Sequence, residues 1–179
     1  PIKLWYAVVS ALARASAGNA NRWVAEMDVP YKLYKGDCLE IMPTLEAGSV
    51  DAIITDLPYG TTACAWDEVI PFAEMWKEVK RVLKPSGAFI TTASQPFTSA
   101  LVMSNAKWFR EEIIWNKFVG LGHNADIKHI KIHENIIVFS QAGMGHKSLL
   151  GENRMAYNPQ DVICDNVTKK VGKKSKLLG

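Results

Sequence analysis

The segment Asp56-Leu57-Pro58-Tyr59 combines a carboxylate, a rigid bend and an aromatic ring within four consecutive residues. The proline disfavours a helical conformation at Leu57 and stiffens the bend. The main-chain carbonyl of Leu57 can then point outward beside the carboxylate of Asp56. Two hydrogen-bond acceptors and one flat ring are therefore predicted to face the same place.

Two acceptors beside a ring suit chemistry on an aromatic amino group. The nitrogen of such a group is a poor nucleophile because its lone pair is delocalised into the ring. Acceptors that bind its N–H groups favour a pyramidal nitrogen, and their negative field stabilises the positive charge that develops when it attacks an electrophile. The ring of Tyr59 offers a surface on which a nucleobase rotated out of a duplex can stack. Taken alone, however, an Asp-x-Pro-Tyr sequence is often a simple turn.

The tetrapeptide follows the most apolar predicted strand, Val50 to Thr55, which we expect to be covered on both faces of a sheet. Before it, the sequence predicts a strand from Tyr31 to Tyr34 and a helix from Cys38 to about Leu45 that Asp37 caps. The later predicted elements are a helix from Pro71 to Leu83, a strand from Ala88 to Thr92, a helix from Pro96 to Ser104, and strands from Glu111 to Trp115 and from Asn135 to Ser140. This alternation predicts a parallel α/β sheet with reactive groups just past the carboxyl ends of its strands.

The composition, with 48% hydrophobic and 22% charged residues in a chain of 179, predicts one globular domain. We expect residues 1–30 to form a helical flank with a helix from Leu4 to Met27, residues 31–142 to form the core, and residues 143–179 to form a polar, basic loop or the start of a recognition region. The opening apolar run is too short to span a bilayer. No association with a membrane is therefore expected. The scattered cysteines favour a reducing cytoplasm, and because they lack zinc-binding spacing, no metal is expected.

A group of lysines near the C-terminus could contact a polyanion such as DNA. It consists of Lys169, Lys170, Lys173 and Lys174. The alternative is a frayed, solvated tail, since basic runs are common at chain ends. Both interpretations fit the sequence.

Several segments in a fixed order resemble the amino-directed DNA methyltransferases, whose hallmark is Asp-Pro-Pro-Tyr or a close variant. The matching segments, over roughly residues 31–141, are Gly36-Asp37-Cys38-Leu39-Glu40, Thr55-Asp56-Leu57-Pro58-Tyr59-Gly60, Ser94-Gln95-Pro96-Phe97, Trp115-Asn116-Lys117, and His133-Glu134 leading into Ile136-Ile137-Val138-Phe139. Their order resembles the permuted subclass, in which a glycine-rich cofactor loop follows the catalytic segments. Leu57 departs from the usual proline, but the role at that position belongs to a main-chain carbonyl.

The resemblance implies a Rossmann-like methyltransferase core that uses S-adenosylmethionine to methylate the exocyclic amino group of adenine in double-stranded DNA, as in restriction–modification systems. It assigns Asp56 and the carbonyl of Leu57 to the target amine, Pro58 to the bend, and Tyr59 to stacking on the flipped base. An acidic first residue in the tetrapeptide favours adenine in this family. Methylation of the amino group of cytosine is the alternative.

The resemblance also implies a set of cofactor contacts. Asp37 and the main chain of Cys38 would contact the adenine end of the cofactor, and Asp56 would also be a cofactor-binding residue. His133 and Glu134 are expected to fix a loop by hydrogen bonds rather than to act as acid or base. Two aromatic residues nearby, Trp115 and Phe139, are expected to belong to the core.

Sequences of the permuted family should end with a segment Asp-Pro-Phe-x-Gly-x-Gly, and this segment is not found here. Residues 118–122 imitate its glycine spacing, but without the preceding Asp-Pro we interpret them as unrelated. We therefore expect an incomplete core, with about four or five of the family's usual seven strands, that a missing C-terminal portion or a partner completes. An exposed sheet edge would then favour homo-oligomers. The alternative is a catalytically incompetent fragment that binds DNA or a partner subunit.

Overall fold

The computed structural model describes residues 5–8, 32–117 and 129–156. A short antiparallel pair comes first, in which β1 (Trp5–Val8) lies beside β2 (Leu33–Gly36). The helix predicted from Leu4 to Met27 is therefore wrong over β1. The aromatic and β-branched residues of this apolar run fit a strand equally well, and pairing with β2 decides between the two conformations. The rest of the predicted helical flank lies outside the described residues.

The main sheet has the strand order β3-β4-β6-β5. Its strands are β3 (Val50–Asp56), β4 (Leu83–Ala93), β5 (Phe109–Asn116) and β6 (His133–Ser140). β3 is parallel to β4, whereas β6 is antiparallel to both of its neighbours, so β5 runs in the same direction as β3 and β4. The prediction of a parallel sheet holds for these strands and is wrong for β6. β6 pairs with β5, the strand just before it in the chain, and antiparallel neighbours need no crossover connection.

Helices follow four of the described strands along the chain. They are α1 (Cys38–Ile41) with a 3-10 turn at Met42–Thr44, α2 (Phe72–Val82) between β3 and β4, α3 (Phe97–Ser104) between β4 and β5, and α4 (Lys147–Leu150) with a 3-10 turn at Gly151–Asn153 after β6. The predicted positions of α2 and α3 are confirmed to within a residue at each end. β4 begins directly at the end of α2, so the segment predicted to separate them belongs to the strand. In the described ranges, no helix is long and apolar enough to cross a membrane.

The main hydrophobic core lies between one face of the sheet and the helices α2 and α3. The buried apolar side chains of α2 recur every three or four residues, as helical spacing predicts, and are Met75, Trp76, Val79 and Val82. The ring of Trp76 packs edge-on against two sheet residues, with its centroid 5.1 Å from that of Phe89 and 4.9 Å from that of Phe139. The prediction that Phe139 belongs to the core is confirmed.

The opposite face of the sheet is only partly covered by the described residues. A small apolar cluster on this face contains Val138, Ala142 and Met155, with Ala88 and Ile90 packed against it. Beside this cluster, Ile54 in β3 is 77% exposed. The prediction that the strand from Val50 to Thr55 is covered on both faces is therefore wrong. β3 is an edge strand of the sheet as described, and Ile53 on its other face packs against the main core.

Candidate active site

The strands of the main sheet bring most of the segments singled out in the sequence to one edge, which is formed by the C-terminal ends of β3, β4 and β5 and the N-terminal end of β6. The paired residues near this edge are Asp56 with Thr92, Ala93 with Asn135, Trp115 with Glu134, and Asn116 with His133. Segments that are distant in sequence therefore start or end on the same side of the sheet. The remaining segment, from Gly36 to Glu40, belongs to β2 and α1, outside the main sheet.

Asp56 is the last residue of β3, and its side chain is exposed. Its Oδ1 atom accepts a hydrogen bond from the hydroxyl of Tyr59 at 2.9 Å and another from the hydroxyl of Thr92. The hydroxyl oxygens of Tyr59 and Thr92 also lie 2.8 Å apart. The three side chains thus form a triangle of oxygen atoms. Sequence reasoning missed Thr92, and only its pairing with Asp56 in the parallel ladder could have indicated it.

The ring of Tyr59 is half-buried and stacks on Phe97, with ring centroids 5.1 Å apart and an interplanar angle of 27°. One face of the ring is therefore occupied by the segment that begins at Ser94. Burial raises the pKa of the Tyr59 phenol, the hydrogen bond with Thr92 lowers it, the contact with Asp56 raises it, and the net shift is upward. The phenol stays neutral at any working pH, so its proton is retained for hydrogen bonding.

Leu57 is only 5% exposed, and it belongs to the main core. Pro58, next to it, is half-buried. The side chain of Leu57 therefore holds the bend against the core.

The loop after Tyr59 is held by the buried carboxylate of Asp67. Its Oδ1 atom accepts from the N–H of Gly60 at 2.9 Å, and its Oδ2 atom accepts from the N–H groups of Thr61 at 2.8 Å and Thr62 at 2.7 Å. Burial by itself would raise the pKa of Asp67, but hydrogen bonds from Gly60, Thr62 and Thr61 outweigh it and lower the pKa to about 2. The loop is thus a fixed continuation of the bend. Sequence reasoning missed Asp67, because an isolated aspartate in a loop is common and carries no distinguishing signal.

Asp37 caps α1 as predicted, since its Oδ1 atom accepts from the N–H of Leu39 at 2.8 Å. Cys38 is half-buried and packs against the same core as Tyr59. The segment that contains Asp37 and Cys38 and the tetrapeptide therefore share one hydrophobic core.

Arg81 of α2 joins that helix to the turn that follows α1. Its guanidinium donates to the carbonyl of Leu45 at 2.8 Å and to the carbonyl of Met42 at 2.6 Å. It also forms an ion pair with Glu78 at 2.7 Å. The position of α1 thus depends on a side chain from α2 that sequence reasoning did not identify.

At the β5 side of this edge, an ion pair joins the residue that follows β5 to β6. Nζ of Lys117 lies 2.5 Å from Oε1 of Glu134 and 5.3 Å from the ring centroid of Trp115. The interpretation that Glu134 fixes a loop stays a prediction. Trp115 is 48% exposed, so the prediction that it belongs to the core is wrong, because β5 is the outermost strand on this side of the sheet as described.

Some predicted site residues lie outside the described part of the chain. They are the lysines Lys169, Lys170, Lys173 and Lys174, together with the glycine spacing at 118–122. DNA contacts by these lysines stay a prediction. Among the residues that the structure describes, no three His, Cys, Asp or Glu side chains are grouped so that they could hold a metal ion.

Comparison with known sequences gives one family match and two relatives. Residues 50–176 match the family described as DNA methylase (N6_N4_Mtase). The chain is 27% identical over 131 residues to the Type II methyltransferase M.HinfI of Haemophilus influenzae, covering 59% of this chain and 36% of the relative. It is 26% identical over 144 residues to the Type II methyltransferase M1.MboII of Moraxella bovis, covering 74% and 54%. The chain thus spans about half or less of the length of these relatives.

Comparison with solved structures gives partial overlaps. The PvuII DNA methyltransferase, described as cytosine-N4-specific, has a TM-score of 0.47 and 15% identity, covering 70% of this chain and 56% of that one. The protein TTHA0409 of Thermus thermophilus, solved with S-adenosyl-L-methionine, has a TM-score of 0.42 and 19% identity, covering 69% of this chain and 56% of that one.

Proposed function

Because this chain belongs to the DNA methylase family, we propose that it is the catalytic part of an enzyme that methylates the exocyclic amino group of adenine in double-stranded DNA. S-adenosylmethionine is the methyl donor in this proposal. The observation that carries it is the exposed carboxylate of Asp56, which ends a strand of the main sheet and contacts the hydroxyl of Tyr59. Reactive groups of open α/β sheets lie at such strand ends.

Asp56 and Leu57 are assigned to the target amine. Oδ1 of Asp56 is already hydrogen bonded, so Oδ2, which receives no hydrogen bond from the described residues, is the acceptor left for an N–H of the base. The main-chain carbonyl of Leu57 is the second acceptor. Together they hold the amino group with its lone pair exposed and stabilise the positive charge that forms on the nitrogen.

The transfer needs no covalent bond to the protein. Bound S-adenosylmethionine supplies an electrophilic methyl group whose bond to sulfur breaks with its electron pair retained by sulfur. The nitrogen held by Asp56 forms the new bond to carbon and then loses its extra proton to water. The attraction between the carboxylate and the nitrogen is strongest when the nitrogen is most positive, which is the requirement for lowering a barrier rather than only binding a base.

Tyr59 is assigned to the flipped base, and Asp37 is assigned to the adenosine end of the cofactor. The face of the Tyr59 ring opposite Phe97 is the one on which a flipped base would stack. At α1, Oδ1 of Asp37 caps the helix, and Oδ2 receives no hydrogen bond from the described residues. A carboxylate oxygen accepts from the hydroxyl or amino donors of a nucleoside, so Asp37 and the main chain of Cys38 fit the adenosine end of the cofactor.

Adenine is proposed rather than cytosine because the tetrapeptide begins with an acidic residue, Asp56, which is the tendency of adenine-directed members of the family. The basic residues Lys169, Lys170, Lys173 and Lys174 are proposed to contact phosphates of the duplex. Their contribution would be independent of sequence and would weaken with salt.

The test is transfer of labelled methyl groups from S-adenosylmethionine to duplex DNA, by this chain and by any longer natural protein that contains it. Asp56→Ala should lower the transfer rate on the order of 100- to 1000-fold, as expected when an electrostatic stabiliser of the transition state is removed. The control is Asp51→Ala in the same strand, because Asp51 is exposed and pairs with Lys84, away from the tetrapeptide. This control should transfer at the rate of the unchanged protein.

Digestion of the product identifies the modified base. Label on the amino group of adenine supports the proposal, and label on the amino group of cytosine contradicts the choice of base while keeping the reaction. If this chain and the longer natural protein both bind DNA but transfer no methyl group, the enzymatic proposal is contradicted, and the alternative of a catalytically incompetent fragment is favoured. Equal loss in the Asp51 and Asp56 variants would remove Asp56 from its assigned role.

A further inference from the structure

The hydroxyl of Thr92 occupies a position between the two main side chains of the candidate site. Thr92 is the ladder partner of Asp56 across the parallel pair β3 and β4, so the two side chains leave the sheet on the same face. Its hydroxyl donates to Oδ1 of Asp56, and the hydroxyl of Tyr59 lies 2.8 Å from Oγ1 of Thr92. Thr92 therefore contacts both residues at once.

The number of protons in this triangle limits its hydrogen bonds. An ionised Asp56 has no proton to give, and each of the two hydroxyls has one. If Thr92 donates to Asp56, Tyr59 can donate to either partner. If Thr92 instead donates to Tyr59, then Tyr59 must donate to Asp56. In every allowed arrangement, Oδ1 of Asp56 receives at least one hydrogen bond.

The consequence is a difference between the two oxygens of one carboxylate. Oδ1 is held toward Tyr59 and Thr92, whereas Oδ2 receives no hydrogen bond from the described residues. Rotation of the carboxylate would break the contact with Thr92, whose position is fixed by its place in the ladder. The orientation of Oδ2 is thus set before any ligand arrives.

We propose that Thr92 is a positioning residue, which fixes the carboxylate of Asp56 so that Oδ2 faces the amine of the substrate. This inference rests on the proposed function, since it concerns how that reaction is oriented. Thr92 itself does not contact the base. Its hydroxyl restricts the rotation of Asp56 and the swing of the Tyr59 ring, which Phe97 holds from one side. Loss of this restriction should slow the transfer step more than it weakens binding.

The test compares Thr92→Val, which removes the hydroxyl and keeps the branched shape, with Thr92→Ser, which keeps the hydroxyl. Single-turnover methyl transfer, KM for DNA and the affinity for S-adenosylmethionine are measured for each. Thr92→Val should slow transfer on the order of 10- to 100-fold, with KM and cofactor affinity within about twofold of the unchanged protein. Thr92→Ser should recover most of the rate.

Thr91→Val is the matched control. Thr91 precedes Thr92 in β4, points to the opposite face and donates to a main-chain carbonyl instead of to Asp56. A similar loss of rate in this variant would mean general damage to the sheet and would overturn the proposal. Thr92→Ala is a second hydroxyl-free variant for the case in which Thr92→Val melts well below the unchanged protein.

The outcomes separate this inference from the function on which it rests. Transfer by the unchanged protein, loss in Asp56→Ala and an unaltered rate in Thr92→Val would reject the positioning role alone. No transfer by the unchanged protein would reject the proposed function and the positioning role together. A raised KM with an unaltered single-turnover rate would place Thr92 in binding and would also reject the proposal.

Discussion

The main-chain N–H of Gly60 donates a hydrogen bond of 2.9 Å to the buried carboxylate of Asp67. Two further N–H groups, those of Thr61 and Thr62, donate to the second oxygen of the same carboxylate. One side chain therefore satisfies three consecutive main-chain donors that would otherwise lack partners in a loop. The loop begins directly after Tyr59, so its shape bears on the candidate site.

Asp67→Asn should loosen this loop. An asparagine keeps one acceptor oxygen but turns an NH₂ group toward main-chain donors, which cannot bond to it. The variant should melt several degrees below the unchanged protein and be cut more readily by proteases between residues 60 and 67. Asp51→Asn, at an exposed position, is the control. Identical melting curves for the two variants would show that the three hydrogen bonds contribute little.

The same carboxylate should make stability depend on pH in the acid range. The pKa of Asp67 is lowered from 3.8 to about 2, so the folded protein holds this carboxylate ionised where the unfolded chain begins to protonate it. Its contribution is fully present above about pH 4 and is lost as the pH falls toward 2. Denaturant unfolding at a series of pH values should show a steeper acid loss of stability in the unchanged protein than in Asp67→Asn. Parallel profiles would contradict this prediction.

Gly60 and Gly48 offer a matched pair of substitutions. Their φ angles are +68° and +62°, a region in which an alanine costs about 1–2 kcal/mol. A Cβ atom on Gly60 would lie 2.8 Å from Cγ2 of Val69, whereas one on Gly48 would meet nothing within 4 Å. Gly60→Ala should therefore lower the free energy of unfolding by about 1–3 kcal/mol more than Gly48→Ala. Adding Val69→Ala should recover most of that difference, and failure to do so would mean that the overlap is not its cause.

Adjacent residues of β3 test whether the uncovered sheet face drives association. Ile54 is 77% exposed, while Ile53 packs against the main core from the opposite face. Ile54→Lys should change the free energy of unfolding by no more than about 0.5 kcal/mol and should reduce self-association in size-exclusion chromatography. Ile53→Lys should cost about 2–5 kcal/mol, because it places a charge against the core. A compact monomer before and after Ile54→Lys would contradict the expected homo-oligomer.

The parts of the fold that the sequence predicts well depend on nearby residues. The apolar spacing of α2 and the cap formed by Asp37 are set within one or two helical turns, and both are confirmed. The direction of β6 and the exposure of Ile54 depend instead on which distant strands lie alongside. An apolar residue has the same side chain whether its face of the sheet is covered or open, so the pattern from Val50 to Thr55 could not distinguish the two.

The candidate site divides in the same way. Asp56 and Tyr59 are three residues apart in sequence and are joined by a hydrogen bond of 2.9 Å, so a local motif was enough to identify both. Thr92 reaches Asp56 from 36 residues away through the register of a parallel ladder. Asp67 binds main-chain N–H groups. Almost every residue has such a group, so the sequence does not show which of them a carboxylate will meet. Residues of this second kind become visible only when the strand pairing and the loop conformation are known.

Arg81→Lys tests whether the position of α1 controls cofactor binding. A lysine keeps the charge but cannot donate at the same time to the carbonyls of Met42 and Leu45 and to Glu78 with the geometry of a guanidinium. The variant should lose about 1–3 kcal/mol of unfolding free energy. It should also raise the Kd for S-adenosylmethionine, measured by calorimetry, because Asp37 caps α1.

Arg110→Lys is the control for that experiment. Arg110 also donates to main-chain carbonyls, among them that of Ala142 at 2.6 Å, but it lies at the start of β5, and none of the acceptors of its hydrogen bonds belongs to α1. A comparable loss of stability with unchanged cofactor affinity is expected, since the two arginines make similar main-chain contacts at different places. If both variants weaken the binding of S-adenosylmethionine equally, the effect follows global stability, and α1 does not have the assigned role. If neither does, Asp37 and Cys38 lie away from the cofactor.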